Sequence, residues 1–187
     1  MAVVDIASNL MRLEEEIESV AHDCGRDPRN IHLMAVSKTF SADVVDQAAA
    51  AGQILFGENR PQEAWQKIPQ VKQSGLSWHL IGPLQSNKAR RAVEMFDVIQ
   101  TLDRPKITLK VNQYAQELDK TLRVFIEVNI GDEPQKHGVV PEELGGMVEL
   151  VDSMSALQLE GLMTLPPFHQ EAEASRPYFQ KLAEMQD

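Results

Sequence analysis

The sequence predicts an α/β fold on a parallel sheet, in the form of a (β/α) barrel preceded by one extra helix. Three observations carry this. Short, nearly continuously apolar runs begin at residues 31, 54, 77, 97, 122 and 157, and a helical segment follows each. Runs of that kind suit strands covered on both faces, as in a parallel sheet. The starts recur every 20 to 35 residues, the repeat of strand–helix units around a barrel. The rival, a doubly wound open sheet, would carry Gly-x-Gly-x-x-Gly after its first strand, and this chain has none there.

The extra helix comes first. Ile6, Leu10, Leu13, Ile17 and Val20 recur at helical spacing, Glu14 to Glu16 mark the wet face, and Gly25 supplies a stop. Residues 31–36 then read as a buried strand. Ser41 is placed to cap a helix running through Ala51, and Gly52 ends it. Residues 54–56 form the second strand, and Pro61 opens the next helix in its first turn. The third strand covers 77–81, with Gly82-Pro83 and a helix from about Gln85 behind it. The fourth covers 97–100. Asp103 is expected to cap a helix that turns Ile107, Val111, Tyr114 and Leu118 to one side. The fifth covers 122–129, and Pro141 opens a helix with Leu144, Met147, Val148 and Val151 inward. The sixth covers 157–163. A last helix starts near Gln170 or, because Pro177 resists a helix interior, near Ser175.

Six units are legible where a closed barrel has eight, so residues 1–187 are expected to form one barrel domain that is incomplete at its C-terminal end. Its 187 residues suffice for a full core, and 43% hydrophobic with 25% charged residues is ordinary for a globular chain. A net charge of −10 argues against nucleic acid or an anionic membrane as partner. No apolar run reaches bilayer-spanning length, and Met1 to Leu10 lack the layout of a signal peptide, so a cytoplasmic address is expected. Cys24 is the only cysteine, which excludes an internal disulfide. The five histidines lack metal-ligand spacing, and no metal is expected.

In a barrel, chemistry sits at the carboxyl ends of the strands. Lys38 follows the apolar run Leu33 to Val36. A lysine at the mouth of the sheet is expected to be partly desolvated, which frees its amine to condense with carbonyls. The competing reading is a lysine that merely snorkels to water. His79, next to Trp78 in a strand, reads first as a core residue, and Asn59 first as turn chemistry. Glu127 inside an apolar run needs a partner, with Lys38 or another central cation as candidate. The sequence has no Walker loop, no Gly-x-Ser-x-Gly elbow and no paired carboxylates.

Several stretches are specific. Ala35-Val36-Ser37-Lys38-Thr39, Gly57-Glu58-Asn59, Trp78-His79-Leu80-Ile81-Gly82-Pro83-Leu84-Gln85-Ser86-Asn87-Lys88, Val128-Asn129-Ile130-Gly131 and Gly161-Leu162-Met163 occur in this order. Together they resemble the pyridoxal phosphate homeostasis proteins, which are similar to the N-terminal barrel of alanine racemase. The resemblance runs from the first helix to the last residue. It implies a barrel that binds pyridoxal 5'-phosphate (PLP) without an established reaction, stores it, and passes it to PLP-dependent apoenzymes. It implies Lys38 as the lysine holding the cofactor as an imine, with Asn59 and Met163 around the ring. His79, Glu133 and Lys136 would be more distant or loop residues. The same resemblance puts the phosphate loops, and an arginine facing the pyridine nitrogen, after strands seven and eight. PLP is therefore expected to be weakly held or absent in this chain, and the chain to be a monomer or weak oligomer. The alternative is a racemase- or decarboxylase-like enzyme acting on amino acids. Racemisation needs acid–base groups on both faces of the reacting carbon, and only Tyr114 and Tyr178 are available as tyrosines. A third reading is an aldolase-like enzyme that uses Lys38 without PLP.

Overall fold

Strand–helix alternation is what the computed structural model displays over the residues it describes, 5–133 and 135–186. Six parallel strands and seven helices appear among those residues: α1 (Ile6–Asp23), β1 (Ala35–Val36), α2 (Ala42–Ala50), β2 (Leu55–Glu58), α3 (Pro61–Lys67), β3 (Ser77–Leu80), α4 (Ala89–Met95), β4 (Val98–Leu102), α5 (Pro105–Glu117), β5 (Leu122–Glu127), α6 (Leu144–Asp152), β6 (Leu157–Met163) and α7 (Arg176–Glu184). Contacts group them into two units. One holds the residues up to Glu58 together with Gln62–Trp78; the other holds Asn59–Pro61 and everything from His79 onward.

In the first unit, the Asp5 carboxylate caps α1, accepting from the Ser8 amide at 3.1 Å and the Ser8 hydroxyl at 2.7 Å. Gly25, at φ +67°, follows its C-terminus as expected. The apolar stripe is only partly covered, with Leu13 and Val20 exposed. β1 is much shorter than the expected 31–36. The Gln53 side chain explains this: its amide donates to the Leu33 carbonyl at 2.9 Å and the Leu55 carbonyl at 2.6 Å, where a longer strand would place a ladder partner. β1 therefore pairs only through Ala35 with Phe56 and Val36 with Gly57. The Ser37 amide then donates to the Gly57 carbonyl. Ser41 stands at the N-cap of α2, but its hydroxyl makes no capping bond. β2 runs two residues past the expected end and takes in Glu58, while Ile54 is exposed. Phe56 packs on Trp78 with ring centroids 5.3 Å apart.

In the second unit, β3 pairs with β4, β4 with β5 and β5 with β6, all parallel and in chain order. A doubly wound sheet would reverse its order; this one does not. Val93, Phe96, Ile99, Leu102, Ile107, Val111, Leu122, Val124 and Ile126 are fully buried. Each contributes about 1.5–3 kcal/mol of transfer free energy. β4 extends to Leu102, so Asp103 falls before the helix start instead of capping it. Arg104 occupies the N-cap of α5, and Pro105 opens the helix where its missing N–H is harmless. β5 ends at Glu127, short of the expected Asn129, because the chain folds back: Val128 bridges Val139, and the Asn129 amide donates to the Val139 carbonyl. β6 keeps its expected limits. A 3₁₀ turn at Ala172–Ser175 precedes α7, which places Pro177 in the first turn. Among the described residues no helix is long and apolar enough to cross a membrane.

Candidate functional site

Lys38 lies in a β-turn, not within the sheet. The Phe40 amide donates to the Ser37 carbonyl at 3.1 Å and closes it. Thr39, the third residue, has φ +70°. Turns of this kind favour glycine or asparagine at that place. A β-branched residue there costs about 1–3 kcal/mol and persists only where its surroundings fix it. The expected partial desolvation of Lys38 is not observed: the side chain is exposed, because the strand stops two residues earlier and the turn carries it outward. Among the described residues Lys38 has no hydrogen bond or ion pair from its side chain.

What fixes the turn lies beneath it. Lys67, at the end of α3, donates from Nζ to the Ser37 carbonyl at 2.6 Å and to Glu58 Oε1 at 2.7 Å. The Ser37 hydroxyl donates to the same Oε1 at 2.6 Å. Lys67 is 9% and Glu58 0% exposed, so this ion pair is fully inside the unit. Glu58 Oε2 is buried with no hydrogen-bond partner among the described residues. The sequence reading ends the second strand at residue 56, before Glu58, and does not single out Lys67. A carboxylate closing an apolar strand, with a lysine nine residues on at a helix end, was the available signal.

The other predicted site residues fall in the second unit. Asn59 is half-buried, and its backbone is pressed against Gly82: a Cβ at Gly82 would stand 1.9 Å from the Asn59 carbonyl oxygen. Thr101 holds the Gly82 carbonyl with a 2.9 Å bond from Oγ1. His79 is buried, with Nδ1 2.8 Å from Gln100 Nε2. The amide nitrogen can only donate, so a neutral His79 accepts at Nδ1 and carries its proton on Nε2. Burial first, then the Arg123 charge, lowers the His79 pKa to about 4 against the opposing pull of Asp97. It is neutral near pH 7, in keeping with a core residue.

Glu127 differs from expectation. It is buried at the end of β5, and no cation of its own unit pairs with it among the described residues. Burial, with Asp103 as a like charge nearby, raises its pKa to about 7. Asp103 itself pairs with Arg104 at 2.5 Å and lies 3.5 Å from His137 Nδ1. After β5, the Asn129 side chain brackets Glu133, donating to its carbonyl at 2.9 Å and accepting from its amide at 3.2 Å. Glu133 pairs with Lys136 at 2.5 Å, and Lys136 Nζ donates to the Pro166 carbonyl at 3.1 Å. The loops after β5 and β6 are thus tied together. Met163 ends β6 opposite Glu127, half-buried, and its carbonyl accepts from the Val128 amide at 2.8 Å. Glu133 and Lys136 thus lie in the loop after β5, which is tied to the loop that follows Met163. Among the described residues no three acidic, histidine or cysteine side chains gather as a metal site requires.

A lysine on the turn after the first of six parallel strands belongs to a recognisable class: the family model described as alanine racemase, N-terminal domain, matches residues 8–187. The fold likeness extends to an alanine racemase of Clostridium difficile in complex with cycloserine. That structure has a TM-score of 0.76 at 14% identity, over 97% of this chain and 48% of the other. Nearer relatives narrow the class. The Escherichia coli pyridoxal phosphate homeostasis protein is 42% identical over 165 residues, covering 87% of this chain and 70% of its own. The Vibrio cholerae protein of the same name is 39% identical over 185 residues, covering 97% and 78%. PipY of Synechococcus elongatus, solved with PLP bound, superposes with a TM-score of 0.79 at 33% identity over 91% of this chain and 79% of its own. The chain belongs to the pyridoxal phosphate homeostasis proteins, and the resemblance drawn from its motifs holds.

Proposed function

We propose that this chain binds PLP and serves PLP homeostasis in the cytoplasm, with the cofactor's aldehyde held on the Lys38 amine. The observation that carries the reading is the Lys38 turn: an exposed amine without ion pair among the described residues, on a backbone fixed from below. A donor of that kind fits a carbonyl cofactor, and a PLP-bound relative at 33% identity supports the choice of PLP. PLP supplies an aldehyde with which a free lysine amine condenses, releasing water. The protein's part is to present that amine and surround the ring. Residues 1–187 are taken as one cofactor-binding domain. Asn59 and Met163 are assigned to the surroundings of the ring, and His79, Glu133 and Lys136 to more distant support.

The reading is of a carrier without a reaction of its own, which hands PLP to recipient apoenzymes. The tyrosines support this over a racemase. The Tyr114 ring lies under the Arg90 guanidinium at 5.6 Å, and Tyr178 stacks on His169 with centroids 5.7 Å apart. Both rings are engaged in packing on helices. The test has two arms. The chain is dialysed against PLP, freed of unbound cofactor and mixed with a PLP-dependent apoenzyme. Reactivation by the wild type and its loss in Lys38→Ala is the expected result; equal reactivation by both overturns the reading. Exchange of the α-hydrogen of amino acids above a buffer blank would instead favour an enzyme.

A further inference from the structure

The buried Lys67–Glu58 pair has a cost that a purely stabilising role does not explain. Burying two charges is expensive, and apolar residues of like volume often replace such pairs without loss of stability. The pair here is also incompletely satisfied, since Glu58 Oε2 has no partner among the described residues. What it does make is directional. Lys67 Nζ bonds the Ser37 carbonyl, the same oxygen that accepts from the Phe40 amide to close the turn. The Ser37 hydroxyl bonds Glu58 Oε1 from the other side. Ser37 is thereby gripped at amide, carbonyl and hydroxyl, immediately before Lys38 and two residues before the strained Thr39.

We infer that Lys67 and Glu58 are positioning residues for Lys38: the buried pair holds the turn in its strained form and so aims the Lys38 amine at its carbonyl ligand. The inference rests on the carrier reading for the identity of the ligand, but not for the bracing of the turn. Neither residue bonds the Lys38 side chain among the described residues. Their effect passes through the Ser37 carbonyl and hydroxyl to the backbone of Lys38.

The test removes the pair without leaving a lone buried charge. In the double variant Glu58→Leu/Lys67→Met, the midpoint of thermal unfolding is expected to stay near that of wild type. Exchange of the Phe40 amide is expected to accelerate about tenfold relative to the amides of β4 and β5. PLP labelling of Lys38 under borohydride is expected to slow about tenfold, since small misplacements carry large penalties. Adding Thr39→Gly, which adopts positive φ without strain, is expected to restore labelling while both charges stay absent. A purely structural pair would not respond to that rescue. Should the double variant not fold, Ser37→Ala removes only the hydroxyl bond and is expected to raise Phe40 exchange about threefold. Wild-type Phe40 protection and wild-type Lys38 labelling in the folded variants would overturn the inference. Absence of Lys38 labelling in the wild type would instead sink the carrier reading, and Phe40 exchange would still decide the brace.

Discussion

Two glutamates close two strands of this chain, and each is buried. Glu58 ends β2 and Glu127 ends β5, with 0% and 6% of their surfaces exposed. The same side chain at the same place in a strand–helix unit meets opposite solutions. Glu58 faces Lys67 at 2.7 Å and a serine hydroxyl at 2.6 Å. Glu127 has no such partner among the described residues, and burial, then the like charge of Asp103, raises its pKa to about 7. A buried carboxylate is tolerated if it is paired or neutralised. The paired one lies under the turn that carries Lys38; the other lies opposite Met163, beside the loop tied by Lys136. The first unit thus spends a charge pair on fixing backbone, while the second keeps a group whose protonation changes near neutral pH.

Breaking the paired side should give the largest effect. Lys67→Met leaves Glu58 buried without its cation, and unfolding in urea is expected to show a loss of about 3–5 kcal/mol. A loss below about 1 kcal/mol would mean that the pair behaves as a solvent-exposed one and does not hold the turn. On the other side, Gly138→Ala strikes the fold-back behind Glu127. Gly138 has φ +113°, and a Cβ there would lie 2.5 Å from the Asn129 nitrogen. A loss of about 2–3 kcal/mol is expected from strain and overpacking, read by the same unfolding measurement.

The unpaired side should show itself in pH dependence. Glu127 has its folded pKa raised from 4.5 to about 7, so its contribution is full below about 4.5 and is lost as pH rises through about 7. The upper bound of that loss is about 3 kcal/mol. His79 acts with opposite sign. Its folded pKa is lowered from 6.5 to about 4, so stability is lost as pH falls from about 6.5 towards about 4. The two slopes oppose each other where they overlap. Wild type is expected to be flatter across that range than either variant. Glu127→Gln should gain on wild type as pH rises, and His79→Gln should lose the acid-side decline; parallel profiles for all three would refute the assignment. The smallest effect belongs to Lys38→Ala. An exposed, unpaired side chain is expected to change stability by no more than about 0.5 kcal/mol.

The sequence made the architecture legible because parallel strands buried on both faces leave continuous apolar runs, and Leu157 to Met163 was bounded correctly on that pattern alone. Element ends were less legible, because side chains from elsewhere set them. Gln53 intercepts Leu33 and shortens β1, and Asp103 is drawn to Arg104 and His137 instead of capping α5. Of the candidate site, Lys38 stood out by position and motif, but its exposure did not, since periodicity says nothing about the turn that follows a strand. Glu127 was rightly read as costly, yet burial and Asp103 raise its pKa to about 7 where a pairing cation was expected. The Lys67–Glu58 pair escaped notice because it joins a strand end to a helix end, and no local spacing rule covers that geometry.

Lys38 is the proposed cofactor lysine. Its most direct test is to mix the chain with PLP, reduce with borohydride and map the modified peptide by mass. One phosphopyridoxyl group is expected, on Lys38, and none in Lys38→Ala. Labelling scattered over many lysines, or none at all, would contradict it.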